Sequence, residues 1–575
     1  MPIVKFTKEN IDVEVETGSF LLDAIRKTKL KMETPCNGMG FCGKCKVIIK
    51  KGQLSEPSSQ EREIIDESKN ERLSCMAKVL GNVEVEIIHN EKSLKTVHKG
   101  FSIDVAVDSS IKSIKLPSIH REKSIPYVDS LDYSFNSVEL YRKISHMEEN
   151  DSTEIWGVVF KEELMDIGSC EKKILGVGID IGTTGVSYYL INLKDGEIIE
   201  RYSSLNPQTQ YGGDVLTRIS YCMENPLGAS EMQELIIEDI NNSIEILLGS
   251  IYNNDAIYHI IVSANTTMIH LLLGISPVAL SKAPYRSIVL SPKNIKANHI
   301  NIKSNKEAVL SIIPSASSYV GGDIVSGIIA SDFQNNKEAI FIDIGTNGEM
   351  AAIKDGEIIC TSTAAGPALE GMNIECGCRA EKGAIESFDI DEDYNIQFTT
   401  IGDENPTGIC GSGLIDIAAA LVKRNILMKS GRWNKNLDSK IKDRLVDKKF
   451  YITEDIYISQ KDIRQIQLAK GAIAAGVILM LEEMELNIEE IPKIYIAGSF
   501  GYHVNPNSIK IIGLIPNGFN GEIYFLGNTS LEGARLALIN KEYLEKAYTI
   551  RREMKVLELS MGEKFQDVFI SQLNF

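Results

Sequence analysis

Histidine is scarce in this 575-residue chain: there are eight, with no pair at the spacing of a histidine zinc site. Basic charge is also short. Lys and Arg number 61 against 79 Asp and Glu, a net charge of −18. That argues against nucleic acid or an anionic membrane as the main partner, because both are gripped by a basic face. Long apolar runs are missing as well: the most apolar stretch, Gly471–Leu481, has eleven residues between Lys470 and Glu482, too few for a bilayer. The opening MPIVKFTKEN has no basic region followed by an apolar one, so no secretory signal is read there. These absences predict a cytoplasmic protein with reduced thiols. No G-x-G-x-x-G follows a strand near the start, so a built-in nicotinamide or flavin domain is not expected.

What the chain does have is ten cysteines, unevenly spread. Cys36, Cys42, Cys45 and Cys75 follow the spacing C-x5-C-x2-C-x29-C. Three thiolates on one glycine-rich loop plus a distant fourth suit a 2Fe–2S cluster. Gly38, Gly40 and Gly43 let the loop wrap both irons and aim backbone N–H groups at the sulfurs. A structural four-cysteine zinc site is the alternative, although such sites usually show two C-x2-C knuckles and this segment has one. The spacing resembles the adrenodoxin-like ferredoxins, which implies a β-grasp fold. The flanking pattern agrees: VKFTKENIDVEVE reads as a hairpin, KCKVIIKKGQ and GNVEVEIIHN as two more strands, and SSQEREIIDESKNER as a short exposed helix. Residues 1–90 form this domain. Residues 91–172 read as a linker and a small middle domain with one helix (SVELYRKISHMEEN) and a strand pair (TEIWGVVFKEEL).

From Lys173 the chain repeats itself. VGIDIGTTGVSYYLINLKDGEII and IFIDIGTNGEMAAIKDGEII each run from a β-branched strand into D-I-G-T, a second strand, a K-D-G-E-I-I turn and a third strand. The two Asp residues lie 163 positions apart and the two turns 160, so the second copy is three residues shorter there. HIIVSANTT and KIYIAGSFG continue the correspondence, as do the helices VGGDIVSGIIA and LEGARLALI with their small-residue faces. The expected fold is α/β: a two-lobed clamp of residues 173–333 and 334–575, with a helical insertion at about Ala365–Lys470.

Each D-I-G-T turn offers backbone N–H groups as an anion nest. Asp180 and Asp343 are placed to hold a hydrated Mg²⁺, which keeps most of its waters. Thr183, Thr184, Thr346 and Asn347 would donate to phosphate oxygens, with Gly182 and Gly345 forming the turns. Asp323 and Glu349 are further acidic candidates. The pair of hairpins resembles the phosphate motifs of the actin, sugar-kinase and heat-shock-chaperone superfamily, with its ribonuclease-H-like lobes. That resemblance implies ATP as ligand and makes YIAGSFG (Gly498, Ser499, Gly501) the adenosine motif. TGICGSGLID is a second glycine turn facing ribose or phosphate through Gly411, Ser412 and Gly413. Cys376, Cys378, Cys410 and His270 read as core residues.

A ferredoxin domain ahead of such a clamp resembles the ATP-dependent reductive activators of corrinoid-dependent enzymes. Further stretches carry the likeness: NPQTQYGGDVLTRI, ANTTMIHLLLGI, APYR, AAGPALEGMNIECGCRAEKGAIE and AGSFGYHVNPNSIKIIGLIP. The resemblance implies reduction of Co(II) to Co(I) on a corrinoid protein of an anaerobic methyltransferase or O-demethylase system. It also implies an external reductase or ferredoxin as electron source, and a homodimer. No D-x-H-x-x-G cobalt-ligating stretch is present, so the chain reads as the activator and not the carrier. Two other readings stay open on the residues alone: a small-molecule kinase with a regulatory cluster, and a redox-sensing ATP-binding protein. The cluster reading has a direct check. Protein purified without oxygen is expected to be brown, with iron and sulfide in equal amounts; a colourless preparation containing zinc would refute it.

Overall fold

The computed structural model describes residues 1–28, 30, 32, 40, 43, 45–62, 64–87, 103–118, 125–135, 137–150, 154–498, 504–559 and 564–575. At the front, strand Ile3–Phe6 pairs antiparallel with Ile11–Glu14 and parallel with Val79–Ile87. Lys46–Leu54 and Glu71–Leu73 complete a five-stranded mixed sheet. Val4, Phe6, Val83 and Val85 face a helix, Leu21–Arg26, that buries Leu21, Leu22 and Ile25 against them. This is the expected β-grasp arrangement.

The segment expected as one exposed helix, Ser58–Arg72, is different. It breaks into a four-residue turn at Ser59–Arg62, a 3-10 turn at Glu67–Lys69 and the strand Glu71–Leu73. Glu61 is 1% exposed. Its carboxylate accepts Arg72 Nε at 2.9 Å, Arg72 Nη2 at 3.2 Å and the Leu73 amide at 2.8 Å. A buried ion pair across eleven residues overrides the local helical pattern.

In the middle region, strands Ile111–Leu116, Ile155–Phe160 and Glu163–Gly168 form an antiparallel sheet. Helix Val138–Glu149 covers one face through Leu140, Ile144 and Met147. The other face gives Ile111, Val158, Phe160 and Met165 to the core of the clamp. Buried Asp166 ties the two together, accepting Lys143 Nζ and Tyr258 Oη at 2.7 Å each.

The two lobes carry the same sheet. In the first, Leu175–Ile181, Gly185–Asn192 and Ile198–Leu205 form a meander; Ile257–Ala264 and then Val309–Ile312 add in parallel beyond the first strand. In the second, Glu338–Ile344, Gly348–Lys354 and Glu357–Thr363 do the same, followed by Lys493–Ala497 and Glu522–Gly527. The shorter second copy is a hairpin effect: residues 193–197 turn the first hairpin, whereas Asp355 and Gly356 suffice in the second. The insertion is not purely helical. Between the third strand and helix Gln460–Glu483 lie two small three-stranded sheets and the helix Gly411–Lys423. Their strands have two to seven residues, too short for periodicity to reveal. Helix Gln460–Glu483 is apolar enough by composition to cross a membrane, yet it is largely buried within the protein.

The lobes meet where helices Gly322–Ile329 and Thr529–Ile539 cross. The hydroxyls of Ser326, Ser263 and Ser530 form a chain at 2.7 and 2.8 Å. A Cβ on Gly533 would stand 2.6 Å from Ser326 Cβ and 2.8 Å from its carbonyl oxygen, so only glycine allows this approach. Gly533→Ala is therefore expected to cost about 1–3 kcal/mol through overpacking. Thermal unfolding of the nucleotide-free protein checks this, and a melting temperature equal to wild type would show that the seam can widen freely.

Candidate functional site

Two of the four proposed cluster ligands lie among the described residues. Cys45 and Cys75 are buried, 1% and 5% exposed, and their Sγ atoms stand 3.2 Å apart. That is too far for a disulfide and near enough for both to reach one iron. Gly40 (φ +75°) and Gly43 (φ +69°) adopt left-handed backbone where a side chain would be strained. Two left-handed glycines close in sequence to a pair of adjacent thiols fit an iron–sulfur cluster. Cys36, Cys42 and Gly38 lie outside the described residues.

The two D-I-G-T turns face each other across a cleft of about 1560 Å³, solvent included. Each turn sits where a fully paired strand ends, Ile181 in one lobe and Ile344 in the other. Asp180, Asp343, Asp323, Glu349, Gly182, Thr183, Thr184, Gly345, Thr346 and Asn347 all line this cleft, as do Gly411, Ser412 and Gly498. Gly413 does not. It lies behind, where a Cβ would stand 2.1 Å from the Ile385 carbonyl oxygen, and so serves the packing of its helix on that strand. Ser499 and Gly501 lie outside the described residues. Gly498 (φ +113°) brings the end of its strand against the second turn: a Cβ there would be 2.3 Å from the Ile344 carbonyl oxygen.

The cleft gathers five carboxylates. Asp180 accepts hydrogen bonds from Asn528 Nδ2 at 2.8 Å and Ser530 Oγ at 2.7 Å. Burial nevertheless pushes its pKa up to about 6, and the charge of Asp323 adds to this. Asp343 is raised well above the carboxylate range by burial and by the charges of Asp323, Asp180 and Glu370. Glu349 is raised likewise by burial and by Asp323, to which it is hydrogen-bonded, while its Oε2 accepts the Gly321 amide at 2.9 Å. Glu370 accepts Thr346 Oγ1 at 3.0 Å. Among the described residues no three such groups close on a point to make an inner metal shell. Carboxylates ringed at a distance fit a cation that retains its waters.

Sequence reasoning missed several members of this site. Asn528 and Asn265 each cap a helix directly after a strand, Asn528 accepting the Leu531 amide and Asn265 the Met268 amide. The Asn265 side chain also donates to Thr183 Oγ1 at 3.1 Å. The signal was there: an Asn N-cap at a strand-to-helix junction inside the repeat. Glu370 and Arg379 come from the quoted stretch after the third strand of the second lobe. Arg379 is the one Arg or Lys among the described residues lining the cleft. Of the residues read as core, His270 and Cys410 are buried, although Cys410 also lines the cleft. His270 is buried, its Nδ1 paired to the Thr266 carbonyl at 2.8 Å; Cys410 is 2% exposed; and Cys378 Sγ packs against Gly408. Cys376 is half-buried, and burial raises its thiol.

A cysteine-bearing β-grasp sheet joined to a duplicated two-lobed cleft defines a ferredoxin domain fused to a nucleotide-binding clamp. Residues 4–80 match the 2Fe-2S iron-sulfur cluster binding domain, 175–336 the RACo middle region, and 337–575 the C-terminal domain of RACo, the ASKHA domain. The corrinoid activation enzyme RamQ of Eubacterium limosum is 29% identical over 99% of this chain and 98% of its own length. The Co(II) methylated amine-specific corrinoid protein reductase of Methanosarcina barkeri is 25% identical over 70% of this chain and 77% of its own. A solved structure of a reductive activator for corrinoid, iron-sulfur protein superposes with a TM-score of 0.76 at 30% identity, covering 100% of this chain and 98% of the other. The chain belongs to the family of reductive activators of corrinoid proteins.

The carboxylate cluster makes a testable trade. For a group whose folded pKa is raised, stability is fully present below the unfolded pKa and is lost as pH rises through the folded one. Asp180, raised from 3.8 to about 6, destabilises the cation-free fold by about 3 kcal/mol at neutral pH. Asp180→Asn removes the charge but disturbs one of the two hydrogen bonds. It is expected to raise nucleotide-free stability at pH 7 by about 1–2 kcal/mol, with the gain gone near pH 4, and to abolish stabilisation by Mg²⁺ and ATP. Denaturant melts across that pH window check this; a variant less stable at pH 7 would show that the hydrogen bonds outweigh the charge.

Proposed function

We propose that this protein performs ATP-dependent reductive activation of a corrinoid protein, returning an oxidised Co(II) centre to Co(I) for a corrinoid-dependent methyltransferase or O-demethylase system. The observation that carries this is the fusion, along one chain, of a thiol cradle and an acidic two-lobed cleft, in a family whose members span the same length. Cys36, Cys42, Cys45 and Cys75 hold the 2Fe–2S cluster, which supplies single electrons when bound. Asp180 and Asp343 hold hydrated Mg²⁺ through its waters. Thr183, Thr184, Thr346 and Asn347 donate to phosphate oxygens, and Arg379 adds the positive charge that five carboxylates lack. Gly411 and Ser412 would serve the ribose or phosphates, and the motif of Gly498, Ser499 and Gly501 would let the adenine approach the backbone. Glu349 and Asp323, hydrogen-bonded to each other, are the groups available to take a proton from an attacking water.

The need for ATP follows from potentials. The cobalt couple lies below that of a plant-type cluster, near about −400 mV. A gap of ~150 mV for one electron is about 3.5 kcal/mol. Differential binding of two states of the partner supplies energy of this size, near the upper end of ordinary coupling energies. Electrons come from a separate reductase or ferredoxin; the protein works in the reducing cytoplasm, as a homodimer.

Anaerobic stopped-flow spectra test the reading. Pre-reduced protein mixed with a Co(II) corrinoid protein is expected to give a several-fold larger Co(I) band with Mg²⁺ and ATP than without. Equal Co(I) yields would remove ATP from the mechanism, and turnover stimulated by a small metabolite in place of a corrinoid protein would favour the kinase reading.

A further inference from the structure

The stretch Asn206–Asp214 follows the last strand of the first-lobe meander and lies between two parts of the molecule that have no other obvious reason to communicate. One side of it carries the first phosphate turn. Asn206 is fully buried; its Nδ2 donates to the Gly182 carbonyl at 2.8 Å and its amide to the Thr184 carbonyl at 2.9 Å. Arg218, in the first turn of the next helix, is also fully buried. Its Nε donates to the Gly212 carbonyl at 3.0 Å, its Nη1 to Gln208 Oε1 at 3.1 Å, and its Nη2 to the Thr183 carbonyl. Nη1 also stands 3.1 Å from Met268 Sδ. Burial brings this guanidinium down to about 9, with only Asp214 offsetting it, so it still carries its charge at neutral pH. A buried cation spent on backbone carbonyls of a phosphate turn is an expensive way to build a core and a direct way to fix a loop.

The other side of the same stretch seats the ferredoxin domain. Arg26 closes the helix Leu21–Arg26. Its Nη2 and Nε donate to the Gln210 carbonyl at 2.8 and 3.1 Å, and its guanidinium lies 5.5 Å from the centre of the Tyr211 ring. Tyr211 is held from behind by Tyr221, with ring centres 4.5 Å apart. On the ferredoxin side, Leu22 of the same helix donates its amide to the Ser74 carbonyl at 2.8 Å, beside Cys75. The residue next to Cys75, the helix, the stretch and the phosphate turn are thus joined by hydrogen bonds, with Arg26 on one side of the stretch and Arg218 on the other.

We infer that Asn206–Asp214 is a shared mount, with Arg218 and Arg26 as positioning residues, so that seating of the ferredoxin domain and nucleotide binding favour each other. Neither residue touches the reaction; Arg218 acts through the Thr183 carbonyl and Arg26 through the Gln210 carbonyl. The sign follows from the geometry: with Arg26 seated, the phosphate turn already lines the cleft, so loosening the seat adds an ordering cost to nucleotide binding. Linkage makes the coupling reciprocal. The inference rests on the nucleotide reading of the cleft, and it needs no corrinoid partner for its test.

The test is calorimetric titration of ATP with Mg²⁺ into the full cluster-loaded chain. Arg26→Ala changes a partly exposed side chain far from the phosphates and is expected to keep the visible spectrum of the cluster. It should weaken ATP binding by about fivefold or more, within the usual span of coupling between sites, with Arg26→Lys falling between it and wild type. A contact that merely holds two domains together would leave ATP affinity unchanged, and that result overturns the inference. Arg218→Lys keeps the charge but loses the fork, and is expected to weaken ATP binding as well; wild-type affinity there would remove Arg218 from the mount. Should Arg218→Lys not fold, the Arg26 pair decides. If wild-type protein itself fails to bind ATP, the nucleotide reading falls and this inference falls with it.

Discussion

Mutual repulsion among buried carboxylates is the constraint on which the clamp is organised. Asp180, Asp323, Asp343, Glu349 and Glu370 line one cleft; burial pushes the pKa values of the first four upward, and like charge adds to this at Asp180, Asp343 and Glu349. A core built for stability alone would not gather them. They persist because the turns bearing two of them end fully paired strands, and because neighbouring residues hold them: Asn528 and Ser530 for Asp180, the Gly321 amide for Glu349, the Thr346 hydroxyl for Glu370. The fold thus stores an unfavourable term that a hydrated divalent cation relieves.

The seam between the lobes is tied to the cleft through a single residue. Its contact combines small polar groups with apolar packing: Ser263, Ser326 and Ser530 exchange hydrogen bonds, Gly533 lets the crossing helices touch, and Leu538 of the second lobe packs against Gly176 and Gly178 of the first. Ser530 takes part both in the seam and in holding Asp180. Asp180 is therefore one hydrogen bond from the seam between the lobes.

Much of this was legible in the sequence, for physical reasons that differ by feature. The internal repeat and its three-residue deficit were visible because a buried central strand needs a β-branched run and a phosphate turn needs Asp and Gly at fixed offsets. The cysteine spacing was visible because a cluster demands its ligands in one loop. What stayed hidden are interactions between residues that are distant in sequence and ordinary in type. Glu61 and Arg72 look like solvated charges until the sheet buries them. Arg218 looks like one more basic residue at the start of a helix, and its burial follows from where Thr183 and Gln208 lie in space. The small strands of the insertion escape because two to seven residues carry too little periodicity. Asn265 and Asn528 lie between these cases: their capping role could be read locally, while their reach to Thr183 and Asp180 could not.

The two halves of the chain meet a requirement that neither meets alone. An iron–sulfur cluster near about −400 mV passes electrons downhill without help and cannot by itself populate a couple lying lower. A nucleotide clamp can do mechanical work on a bound partner but has no electron to give. Joining them helps only if the state of one is felt by the other, since two independent modules on a flexible tether would deliver electrons regardless of nucleotide. The contacts run from the Ser74 carbonyl, beside Cys75, to the Leu22 amide, from Arg26 of the same helix to the Gln210 carbonyl, and from the same stretch, at Gln208 and Gly212, through Arg218 to the Thr183 carbonyl of the first D-I-G-T turn. A connection of that kind ties the seating of the ferredoxin domain to the turn that lines the cleft, which a flexible tether would not do.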